Sequence, residues 1–130
     1  FRRVRTTFFT RSRGAIVEFV HAHKYSFGPH FRIHLGLSLA NETFATTTLN
    51  GPDSHSYVCE GKFELSFDES AESIDACAEE MARFVQDVAE PWFAAWRDVE
   101  RLINDVGSPL GADQKARLRN TLESGLPESN

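Results

Sequence analysis

Four histidines lie close together in the chain: His21 and His23, then His30 and His34. In an extended strand, residues two or four apart point to the same side, so each pair shares a face. If the turn between the pairs sets His21 opposite His34, all four histidines join Arg32 on one face, and their imidazole nitrogens could ligate Zn or Ni. The other register separates them. The nearby acid, Glu18, has the opposite parity from His21 and could not orient that imidazole. The plainer alternative is a half-buried polar sheet face whose imidazoles bond to neighbouring Thr, Ser or backbone groups. His21, His23, Arg32 and His34 are therefore read as a ligand or anion face, with no metal and no cofactor assigned.

Other residue types offer less. Cys59 and Cys77 are far apart and match no metal or redox spacing, so they read as reduced thiols. His55 could approach Cys59, but nothing else supports a cysteine nucleophile. Glu79, Glu80, Asp98 and Glu100 fall on the expected solvent face of helices, where nothing would raise a carboxyl pKa for acid–base work. There is no G-x-S-x-G elbow and no phosphate-binding glycine loop, so no catalytic signature is present. Arg3, Arg5, Arg11 and Arg13 share parity and could form a basic stripe beside Phe9 that suits single-stranded nucleic acid. An edge strand guarded by charge explains them as well, and the acidic chain makes nucleic acid a poor partner.

The elements that must position these residues divide the chain in two. Val4 to Arg11, Ala15 to Tyr25 and His30 to Leu39 read as strands. The last alternates throughout, with Phe31, Ile33, Leu35, Leu37 and Leu39 on one face. Thr43 to Leu49 and Ser56 to Phe67 are further strand candidates, the latter with Gly61 as a bulge. From Asp68 the period becomes helical. Ile74, Cys77, Ala78, Met81, Phe84, Val85 and Val88 form one apolar stripe behind a cap at Asp68 or Ser70. Pro91 suits the start of a second helix, whose stripe runs from Trp92 through Trp96, Leu102 and Val106. Asp113 could cap a short third helix. The expected fold is α+β: an antiparallel meander of about five strands over residues 1–67, then two or three helices over 68–125 packed on one face, with 126–130 as a frayed tail.

Charge supplies the functional expectation. The chain has 130 residues and a net charge of -5, but residues 1–40 hold seven bases against one acid, whereas residues 60–105 hold thirteen acids against four bases. No apolar run approaches the roughly 18 residues of a membrane span. Residues 1–13 lack the apolar core of a secretory leader, so a soluble, cytoplasmic domain is expected. An acidic helical surface bearing Glu72, Asp75, Glu79, Glu80 and Asp87 would draw a basic protein partner by its field. One concrete case is an immunity protein that neutralises a basic bacterial toxin. A ligand- or metal-dependent enzyme on the histidine face is the alternative, and nucleic-acid binding through the first strand a third.

The first three strands also resemble the bacterial proteins grouped as domain of unknown function 4304. The resemblance rests on Phe1-Arg2-Arg3 with Thr7-Phe8-Phe9-Thr10-Arg11, on Val17 through Ser26 with Lys24 before the turn, and on Phe31-Arg32-Ile33-His34-Leu35-Gly36. Where that family usually shows a Gln, this chain has His21. The resemblance implies a small bacterial α+β domain and brings no catalytic residues with it.

Overall fold

A computed structural model describes residues 2–3, 8–24, 29–40, 49–55 and 60–124. Its sheet is built from β1 (Arg2–Arg3), β2 (Phe8–Arg13), β3 (Ile16–Lys24) and β4 (Phe31–Leu39), antiparallel neighbours in sequence order. Arg13 pairs with Ile16, so Gly14 and Ala15 alone turn the chain between β2 and β3. Gly14 takes φ 63°, the positive value such a tight hairpin needs at its first turn residue. That turn fixes the register: Arg11 faces Glu18, and Phe9 faces Val20. On the far side of β3, Glu18 pairs with Leu37, Val20 with Leu35 and His21 with His34.

The meander expected from sequence is present, with fewer strands among the described residues than the five expected. Among the described residues the sheet has four, and β1 is only two residues long. Residues 43–48 of the fourth candidate, and 56–59 of the fifth, lie outside the described residues. The rest of the fifth makes a single bridge, Ser66 to His30, flanked by backbone bonds from Phe31 to Leu65 and from Phe67 to Pro29, both 2.9 Å. Gly61, with φ 77°, turns the chain there and does not bulge a strand.

The outer edge of β4 is closed by pieces of loop. Asn50 acts as a stand-in for a strand residue: its Oδ1 accepts from the Leu37 N–H and its Nδ2 donates to the Leu37 carbonyl, both at 2.9 Å. The Gly51 N–H donates to the Leu35 carbonyl at 3.0 Å, and the Ile33 N–H donates to the Ser54 hydroxyl at 2.8 Å. Polar backbone that would otherwise be buried unpaired is thereby satisfied.

Helix α1 (Ala71–Phe84) begins where Ser70 caps it, the hydroxyl accepting from the Ser73 N–H. It then runs through a π-turn (Val85–Ala89) into α2 (Glu90–Ala95). The sequence reading started a new helix at Pro91. The chain instead continues, because Glu90 bonds back five residues to the Val85 carbonyl, and this wider turn accommodates a proline that has no N–H and would crowd the carbonyl four residues before it. The expected second helix also stops early. The Asp98 carboxylate accepts from the N–H groups of Glu100 and Arg101, which starts α3 (Val99–Asn104) and leaves Val106 98% exposed. In α4 (Ala112–Glu123) the expected cap, Asp113, lies inside the helix; Gly111 precedes it, its N–H donating to Gln114 Oε1.

All the helices cover one face of the sheet, as expected. Ile16 and Val20 of β3 and Ile33, Leu35, Leu37 and Leu39 of β4 form one core with Phe84, Ala89, Phe93, Leu102, Ile103, Leu110 and Leu118. Phe93 is fully buried, and Trp92 and Trp96 pack against this core. Phe19, on the opposite face across from Gly36, is also buried. The helix stripe is narrower than its sequence suggests. Cys77 and Phe84 are buried, but Ala78 is exposed and Ile74 is 48% exposed.

Candidate functional site

The helix-facing side of β2 and β3 carries an ionic network that the sequence reading missed. Glu18, only 1% exposed, accepts from Arg11 at 2.7 Å and from Arg97 at 3.2 Å, with Arg13 at 3.6 Å. Arg11 reaches on to Glu90 through two bonds of 3.1 and 2.7 Å. Each guanidinium nitrogen of Arg11 is thus engaged. Burial pulls the Arg11 pKa down, but its bonds to Glu90 and Glu18 outweigh that, and the net shift is upward. The Arg11 bond holds the Glu90 carboxyl below the usual range. The expected basic stripe is in this way half internal: Arg11 and Arg13 lean on Glu18, and Arg5 lies outside the described residues. The signal was available, since a two-residue turn at Gly14-Ala15 necessarily sets Arg11 opposite Glu18.

The acids of the expected partner surface divide into two groups. Glu72, Asp75 and Glu79 are exposed, have no ion pair among the described residues, and sit on the same helix as exposed Ile74. Glu80 is held by Arg83 at 2.6 Å, and Asp87 lies 4.0 Å from the same guanidinium. Arg83 also covers the Phe63 ring at 4.1 Å. Field from this helix therefore comes chiefly from residues 72–79.

The register does bring the histidines of the strands together. His21 faces His34 and His23 faces Arg32, so these four share the sheet face turned away from the helices. Phe8 stacks on His21 at 4.3 Å, and His21 on His34 at 5.7 Å. His30 is exposed, outside the strand. Arg32 is drawn aside by Asp53, 3.0 Å away, a residue the sequence reading did not connect with this face. Asp53 sits on the β4 edge through a bridge to His34, and the Arg32 bond overcomes the effect of burial to hold its carboxyl low. Burial lowers the pKa of His21 and of His34, with His23 adding to the first and Arg32 to the second. Among the described residues, no group of three His, Cys, Asp or Glu side chains is placed to hold a metal ion. His21 and His34 are stacked on this face, with the His21 Nδ1 buried and unbonded.

A recess of about 530 Å³ gathers His30, Glu64, Asp68, Ser73, Cys77 and Glu80. Most polar groups there have structural work: Asp68 and Ser73 hold the α1 cap, Glu64 bonds Ser66, and Glu80 bonds Arg83. Burial, then the charges of Glu64 and Glu80, push the Cys77 thiol up, the wrong direction for a nucleophile. Cys59 lies outside the described residues. No helix among the described residues is long and apolar enough to cross a membrane. No protein-family model, curated protein or solved structure matches this chain.

Proposed function

We propose that the protein is a non-catalytic binding domain that presents residues 72–79 of α1 to a basic protein partner. One observation carries this reading. Arg11 and Arg13 of the sheet, with Arg97, are drawn to Glu18 and Glu90, while Glu72, Asp75 and Glu79 stand exposed on α1 without a basic partner among the described residues. An unopposed charge of one sign steers encounter with its opposite. Of the partners this chemistry suits, a basic toxin acting on nucleic acid is the case to test first, with the protein as its immunity protein in the cytoplasm. The sequence resemblance of residues 1–40 to domain of unknown function 4304 would make this a small bacterial module and adds no activity.

The test is capture from the native cell with the wild-type protein and with a Glu72→Gln, Asp75→Asn, Glu79→Gln variant of unchanged melting temperature. A basic protein held at equal stoichiometry by the first, released by salt and lost from the second, supports the reading. Identical recovery by both proteins refutes it.

A further inference from the structure

Asn-Gly occurs once in the chain, at Asn50-Gly51, in the strip that closes the outer edge of β4. Asparagine is chemically labile when glycine follows it, because glycine has no Cβ to keep its backbone nitrogen away from the neighbouring side-chain carbon. The Gly51 nitrogen gives up its proton to solvent and attacks Asn50 Cγ, and the amide nitrogen takes a proton back and leaves as ammonia. Water then opens the resulting cyclic imide at either carbonyl. The net change is asparagine plus water to ammonia plus aspartate or, where the chain is rerouted through the side chain, isoaspartate.

The fold holds both reacting groups out of this chemistry. The Gly51 N–H donates to the Leu35 carbonyl at 3.0 Å, so the proton that must leave is engaged. The Asn50 carboxamide is turned onto Leu37, accepting at Oδ1 and donating at Nδ2, both at 2.9 Å. Further along the strip, Ser54 accepts from the Ile33 N–H at 2.8 Å and Asp53 pairs with Arg32 at 3.0 Å. Reaction therefore requires the strip to leave β4, a local opening that spares the core.

The product does not fit the place that Asn50 occupied. Aspartate has no side-chain N–H, so its second oxygen would face the Leu37 carbonyl, acceptor against acceptor. Isoaspartate adds a backbone atom just before Gly51, where there is no slack: a Cβ on Gly51 would already stand 2.6 Å from the Trp92 ring. We propose that Asn50-Gly51 is a deamidation site gated by the fold, silent while the strip lies on β4 and converted, once the strip has opened, to a form that keeps it off the sheet. The site is a one-way record of opening at this edge and is independent of the acidic face of α1.

The test follows the tryptic peptide of residues 33–62 by mass spectrometry at neutral pH, with fragmentation separating Asn50 from Asn41. Native protein should gain the mass of deamidation at Asn50 at least about tenfold more slowly than protein held in urea, and equal rates overturn the gating. Asp53→Ala, which frees the strip from Arg32, should speed the native reaction several-fold and leave the rate in urea unchanged. A native rate unaltered by that substitution overturns opening of the strip as the controlling step. Asn50→Asp imitates the aspartate product, and its Gly51 and Ile33 amides should exchange hydrogen at least about tenfold faster than in the wild type, with the amides between β2 and β3 unchanged. Wild-type exchange at both amides overturns the one-way step. If Asn50→Asp does not fold, exchange is read on native wild-type protein aged to partial deamidation, the modified and unmodified peptides being resolved by mass.

Discussion

Arg11 grips Glu90 through two bonds of 3.1 and 2.7 Å, across 79 residues of chain, and in doing so fastens β2 to the helix just after the π-turn. The same guanidinium holds Glu18, so one side chain ties the hairpin to the helical layer.

The two carboxylates should differ sharply in what they contribute. Glu18→Ala removes a 1% exposed charge and leaves Arg11 and Arg97 facing each other, a loss of about 3 kcal/mol for a broken buried pair. Glu90 is 40% exposed, and Glu90→Ala should cost less than about 1 kcal/mol, as surface pairs do. Urea unfolding of both variants at neutral pH measures the difference.

Acid should loosen the histidine face before it touches the carboxylates. Burial holds His21 and His34 below the ordinary imidazole value of 6.5. The unfolded chain takes up protons near that value while the folded chain resists, so falling pH favours unfolding. Stability should be full above about pH 7 and decline from about 6.5 downward until both imidazoles are protonated in the folded state as well. Asp53 and Glu90, held below their usual range, add a separate loss only near and below about pH 4. A His21→Asn, His34→Asn variant should flatten the slope between about pH 7 and 5 in denaturant titrations; an unchanged slope would assign it elsewhere.

Gly51 leaves no room for a side chain. A Cβ there would stand 2.6 Å from the Trp92 ring, so Gly51→Ala must push the indole away, at about 1–3 kcal/mol for such overpacking. Trp92→Phe should relieve much of that cost, and the double variant should lose less stability than the sum of the two single ones. Thermal unfolding of the four proteins completes the cycle.

Cys77 should be slow to modify. The thiol is 3% exposed and pushed upward by burial and by Glu64 and Glu80, so a thiol reagent at neutral pH should label it only after denaturant is added. Prompt labelling of the native protein would contradict the structure.

How much of this could be read from residue order varies by element. The alternation from Phe31 to Leu39 located β4 and its buried face, and the polar cluster at Asp68 to Ser70 located the start of α1. The sharing of one face by His21, His34 and Arg32 was one of two registers that alternation allowed, and only pairing across the turn decides between them. The buried pairing of Glu18 with Arg11 escaped notice because β3 is apolar on both faces, with Ile16 and Val20 on one and Val17 and Phe19 on the other, so parity did not say which was inside. Pro91 misled for a different reason: proline usually marks a helix start, and a π-turn that absorbs it leaves no pattern of residue types.

The outer margin of β4 bears on how copies of this chain behave when concentrated. A foreign strand seeking to extend the sheet there would have to evict the Asn50 amide, the Gly51 N–H and the Ser54 hydroxyl from bonds already made to Leu37, Leu35 and Ile33. Lateral polymerisation, the common failing of open sheets, is blocked on that flank by side chains and loop backbone that belong to the same molecule.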